Sequence, residues 1–193
     1  GRYIFDFYAL LYPILAAILS YSLCDVEYKN YGFRLLFTRP ISKLTIYSSK
    51  MVFLLEINFI SFLIGYLAFL LSGFALDKLL PGYEFSSYNV NNLTAFYFSY
   101  LFIALSAVSF IQYSLSLTFK SFVLPIGFAS LMTIFGIIAQ NKDYIYLIPY
   151  STVWRLNYGF YSGIIDFSKG EYLNISCVLF FIIISFFVFI RKK

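Results

Sequence analysis

Five apolar runs, at about 3–23, 44–71, 93–117, 122–139 and 175–190, restrict what this chain can fold into more than any other feature of its sequence. A helix that crosses the hydrocarbon layer of a bilayer needs about 20 mostly apolar residues, and the runs are read as five such helices. They are continuous rather than alternating, which argues against the strands of a membrane barrel. Composition supports lipid as the solvent. Of the 193 residues, 61% are hydrophobic and 12% charged, whereas a soluble domain is about half apolar and about a quarter charged. The expected fold class is an all-α polytopic membrane protein, a single transmembrane domain over residues 1–193.

The charges fall mainly between the runs and give an orientation. If each run crosses once, the connection at 25–43, the turn at 119–121 and the tail at 191–193 share one side. That side carries Lys29, Arg34, Arg39, Lys43, Lys120, Arg191, Lys192 and Lys193. The opposite side mixes Arg2, Lys78, Lys142, Arg155 and Lys169 with Asp77, Glu84, Asp143, Asp166 and Glu171. Excess Lys and Arg mark the cytoplasmic side, so the C-terminus is expected inside and the visible N-terminus outside. An outside start calls for one more span upstream, and the chain begins at Gly1 rather than methionine. Orientation and anionic headgroups account for the net charge of +5, so nucleic acid is not among the expected partners.

Few residues here can carry chemistry. There is no histidine, which removes the usual base of Ser–His or Cys–His hydrolysis, and Cys24 and Cys177 read as small buried hydrophobes. Glu56 stands out, mid-way along the second run. A carboxylate at bilayer centre costs about 2.5–3.5 kcal/mol on insertion scales, so it is expected to be protonated, paired or facing a polar cavity. Gln112 is a candidate partner, and the pair reads either as a polar point on a translocation path or as a hydrogen bond holding the bundle together. Lys50 has a stem long enough to snorkel to the headgroups. The exterior segment at 140–174 is rich in aromatics, with Tyr150, Trp154 and the neighbouring Arg155 placed at the outer interface. Ser151 or Thr152, just after Pro149, suits the cap of a short helix there. One or two short helices are expected at or dipping into that interface, with a plain aromatic anchor as the alternative.

The connection at 25–43 is too long and too amphipathic for a simple turn. Asp25 and Lys29 are four residues apart, acids lead and Arg34 and Arg39 follow, matching a helix dipole. Val26, Phe33, Leu36 and Phe37 supply an apolar side, and Pro40 ends the segment. A short helix over about 25–37, lying along the inner membrane surface, is expected.

Two strings carry a family resemblance. Glu27-Tyr28-Lys29-Asn30, then Leu35-Leu36-Phe37-Thr38-Arg39-Pro40-Ile41-Ser42-Lys43, then Ile46-Tyr47 and Lys50, resembles the signature of type-2 ABC transporter permeases. Gln112-Tyr113-Ser114-Leu115-Ser116 with Phe119-Lys120-Ser121-Phe122 looks like the join between that family's fourth and fifth spans. The chain is most similar to the lantibiotic-immunity and bacitracin-export branch, a setting of antibiotic resistance. The resemblance implies six spans, of which five are visible, a coupling helix over 25–37 and short exterior re-entrant helices. It implies that Asp25, Glu27, Lys29, Arg34 and Arg39 couple the spans to a cytoplasmic ATPase subunit.

No G-x-x-x-x-G-K-[ST] phosphate loop occurs in the sequence. The chain is therefore expected to hold no cofactor of its own and to be no enzyme by itself, with ATP and Mg bound by the partner subunit. The expected function is the membrane subunit of an ATP-driven exporter in the bacterial cytoplasmic membrane. It pairs with a second permease copy and moves an amphipathic cargo such as an antimicrobial peptide, a lipid-linked molecule or a drug. The alternative is a secondary transporter or channel without an ATPase.

Overall fold

A computed structural model describes residues 2–29, 32, 37–38, 40–79, 91–139, 148–162 and 169–192, and all of its elements are helices among these residues. They are α1 (Arg2–Tyr28), α2 (Lys43–Leu79), α3 (Asn91–Thr118), α4 (Val123–Ala139), α5 (Pro149–Ser162) and α6 (Lys169–Ile190). Four of them, α1, α2, α3 and α6, are long and apolar enough to cross a membrane. The fourth expected span is α4, which has 17 residues. At about 1.5 Å per residue it covers about 25 Å, just short of the thickness of a typical hydrocarbon core. The 37 residues of α2 cover about 55 Å on the same rise, so this helix outruns the core and extends beyond it or tilts.

Local chemistry sets several boundaries. Ser42 caps α2: its hydroxyl accepts the Thr45 amide at 3.0 Å and its carbonyl accepts the Ile46 amide at 3.2 Å. Pro40, two residues earlier, cannot donate to a helix ladder and keeps the approach open. Pro149 opens α5 at the first helical position, where its missing amide costs nothing. The expected cap at Ser151 is not how α5 begins, since the Ser151 hydroxyl donates back to the Ile148 carbonyl at 2.7 Å. Residues 24–28 do not start a new helix. They continue α1 without a break, so the first part of the expected 25–37 surface helix is the last turn of the first spanning helix.

The helix α3 is the axis of the bundle and touches all five others. One core, at its N-terminal half, gathers Tyr12 and Ala16 of α1, Leu101, Leu105 and Val108 of α3, and Tyr150 and Val153 of α5. A second, at its C-terminal half, gathers Cys24, Tyr47, Met51, Phe110, Tyr113 and Phe189. The helix α2 packs through a stripe that begins Tyr47, Met51, Leu54 and Asn58. This spacing of three and four keeps one face inward, and it leaves Val52, Phe59, Leu63 and Leu67 outside.

Candidate functional site at the basic end of the bundle

One end of the bundle collects the C-termini of α1, α3 and α6 and the N-termini of α2 and α4. The contacts that bring them together are specific. The Tyr28 hydroxyl is shared between the carbonyls of Ser116 and Leu117, at 2.9 and 2.7 Å, which fastens the end of α1 to the end of α3. Lys192 donates to the Tyr28 oxygen at 3.2 Å and lies over its ring. Lys43 donates to the Ile190 carbonyl at 2.9 Å, joining the start of α2 to the end of α6. Tyr21 donates to the Lys120 carbonyl at 3.2 Å. The three basic segments grouped by charge alone do therefore meet at one end. Their crowding has an electrical effect: burial first, and then the nearby Lys120 charge, hold the Lys192 ammonium below its ordinary range.

The acidic residues at this end each have a partner. Asp25 pairs with Lys29 one turn on, and that bond, with the carboxylate's charge, raises the Lys29 pKa. Glu27 pairs with Lys50 of α2 at 2.7 Å, and Lys50 also donates to the Leu23 carbonyl at 2.9 Å. The Glu27 and Lys50 side chains are only 11% and 13% exposed. Lys50 thus turns inward onto α1 instead of snorkelling to the headgroups. Gly32 packs closely on the end of α1: a Cβ there would stand 2.9 Å from the Glu27 Cα, closer than a side chain tolerates. Phe37 then seats edge-on against Phe189 of α6, with Lys43 over its ring at 4.2 Å. Arg34 and Arg39, with most of 30–36, lie outside the described residues.

The interior holds a second polar set. Tyr12 donates to the Asn58 oxygen, and Ser109 donates to the same oxygen at 3.2 Å, joining α1, α2 and α3. Gln112 donates to the Tyr150 hydroxyl at 2.6 Å, joining α3 and α5. The close approach of α4 to α5 depends on Gly136, where a Cβ would meet the Ser151 Cα at 3.1 Å. Arg155 pairs with the fully buried Glu171 at 2.5 Å. Tyr97 and Asp6 both bond Asn157, at 2.5 and 3.2 Å. The far end of the bundle is therefore laced by α5.

Several sequence-derived placements change. Gln112 bonds Tyr150, not Glu56. Glu56 is exposed on the outer side of α2 and makes no hydrogen bond or ion pair among the described residues. Tyr150 is 1% exposed and packs inward, while Arg155 and Trp154 are half-buried. Tyr28, Asn58 and Asn157 were not singled out by sequence reasoning. Only Tyr28 carries a local signal, as a hydrogen-bonding aromatic at the end of an apolar run.

This arrangement defines a multi-pass helical membrane protein whose spans are tied together at one basic end. Residues 3–136 match the ABC-2 family transporter protein, more than half of the chain, and the chain belongs to that family. It is accordingly a transmembrane permease subunit of an ABC transporter. No curated protein and no solved structure matches it.

Proposed function

We propose that the chain is the membrane half of an ATP-driven exporter, energised by a separate ATPase that carries the phosphate loop and holds ATP and Mg. The basic end faces the cytoplasm, as its excess of Lys and Arg suggests, and the C-terminus lies with it. Residues 25–37 form the contact with the ATPase, and a second permease copy completes the pathway. Amphipathic cargo and a bacterial cytoplasmic membrane, on the lantibiotic-immunity and bacitracin-export pattern, suit the apolar spans. The buried N-terminus of α5, in van der Waals reach of Gly136, supports reading 148–162 as a re-entrant helix on the exterior half.

One observation carries this reading. The end of α1 and the residues after it are tied to three other spans: α2 through Glu27 and Lys50, α3 through Tyr28, α6 through Phe37. Force applied there has a rigid route into the bundle. The chain co-expressed with its neighbouring phosphate-loop ATPase and reconstituted in vesicles tests it. Glu27→Gln should keep the complex and its ATP hydrolysis and lower cargo transport by about tenfold, the effect of about 1.4 kcal/mol. Wild-type transport by Glu27→Gln and by Gly32→Ala together would remove the coupling role.

A further inference from the structure

A cleft of about 400 Å³ runs between the start of α2 and the end of α6. Leu44, Tyr47 and Ser48 form one wall, and Ile182, Ile183, Phe186 and Phe187 form the other. It opens to the lipid side, where Leu44, Ile183 and Phe187 are each more than half exposed. Its two hydroxyls are already in use. Ser48 donates to the Thr45 carbonyl at 3.0 Å, and the Tyr47 oxygen lies 2.6 Å from the Ile182 carbonyl and 2.7 Å from the Ser185 hydroxyl. No charged side chain is among those lining it. The interior of the cleft therefore suits an alkyl chain and offers nothing to a polar group.

Each wall ends in a cation at the basic end. Lys43 stands one turn before Tyr47, and Arg191 one turn after Phe187, so each continues the face of its helix that lines the cleft. The Arg191 amide still bonds the Phe187 carbonyl, at 3.4 Å, which keeps this residue on the helical path. The Lys43 ammonium reaches across the head of the cleft to the Ile190 carbonyl, at 2.9 Å, and so belongs to both walls. Neither that carbonyl nor the Phe37 ring at 4.2 Å neutralises its charge. The acids at this end, Asp25 and Glu27, are paired with Lys29 and Lys50. Among the described residues, Lys43 and Arg191 have no acidic partner.

We infer that this cleft holds an anionic glycerophospholipid, with one acyl chain along Leu44, Ile183 and Phe187 and the phosphate at the head between Lys43 and Arg191. Basic pockets between membrane helices take anionic headgroups in this way. A zwitterionic lipid carries an ammonium of its own, which offsets the attraction at the mouth, and a cationic amphiphile would meet like charge there. The site does not depend on the ATPase-coupling reading, and binding is measured without ATP, so the two fail separately.

The test uses the full chain in phosphatidylcholine nanodiscs with two photoreactive lipids at low mole fraction. One is a phosphatidylglycerol with a diazirine in its acyl chain, and the other is the matching phosphatidylcholine. Labelled positions are mapped by mass spectrometry. Val123 and Leu124, more than half exposed at the start of α4 and at the same end of the bundle, serve as the reference for ordinary annular lipid and for a folded bundle. Relative to them, the anionic probe should label 44–48 and 182–187 about fivefold more than the zwitterionic one, the effect of about 1 kcal/mol. Arg191→Gln, which removes no bond between helices among the described residues, should lower that excess at least about twofold. The double variant Lys43→Gln/Arg191→Gln should abolish it and leave labelling at the start of α4 unchanged. Equal labelling by the two probes, as a second copy of the chain covering the cleft would also give, overturns the site. So does an excess as large at Val123 and Leu124, the mark of a diffuse anionic annulus, or one that survives in the double variant.

Discussion

The helices α2 and α3 are similarly apolar, yet they live in opposite surroundings. Of the most apolar 18-residue stretch of α3, 67% is buried, and of that of α2 none is. Their polar residues are arranged to match. Those of α3, such as Ser106, Ser109, Gln112 and Ser116, are buried, and two of them bond to neighbouring helices. The helix α2 turns Asn58 inward and leaves Glu56 outside. Hydropathy therefore identifies a span without telling which of its sides meets lipid. That information lies in where the hydrogen-bonding groups find partners, because lipid offers none.

The contrast breaks most readily at the ion pair that α5 and α6 hold against the core of which α3 is the axis. Arg155→Ala removes the guanidinium that pairs with the fully buried Glu171 carboxylate. The expected loss is about 3–5 kcal/mol, read as unfolding of the purified protein in detergent. A loss under about 1 kcal/mol, the usual worth of an exposed pair, would mean that water reaches Glu171.

A smaller effect compares the two helices directly. Leu105 of α3 is fully buried and Leu63 of α2 is 41% exposed. Leu105→Ala opens a cavity in the core and should cost about 2 kcal/mol or more. Leu63→Ala should stay within about 0.5 kcal/mol, as a surface change does. Equal costs, in the same unfolding assay, would place a hidden packing partner on the outer face of α2.

Much of this architecture is legible in the sequence, because a continuous apolar run bounded by charge has few solutions in lipid. The runs at 44–71 and 93–117 correspond to α2 and α3, and the three basic segments do meet at one end. Depth and facing were not legible. Asp25 and Glu27 look like the start of a new element because they are charged, but Glu27 has Lys50 to pair with and so prolongs α1. The inward turn of Lys50 depends on that partner, 23 residues away in sequence. On the sequence alone Gln112 pairs naturally with Glu56, because both are polar and mid-span. Its real partner, Tyr150, reaches it only because Gly136 lets α5 approach α4 closely, a fact that no periodicity carries. Tyr150 suits a headgroup belt equally well, and only tertiary packing assigns it to the interior.

The central claim is that the basic end receives the ATPase. Its most direct test is a crosslink from each end of the bundle in the co-expressed complex. Lys29, 69% exposed at the basic end, and Tyr172, 64% exposed at the far end, are replaced separately by Lys29→Cys and Tyr172→Cys. A short bis-maleimide is then added, with buried Cys24 and half-buried Cys177 providing the background of the parent chain. The account predicts a crosslink between the Lys29→Cys chain and the phosphate-loop subunit, and none from Tyr172→Cys. A crosslink from Tyr172→Cys alone, or from neither variant in a complex that remains assembled, would contradict it.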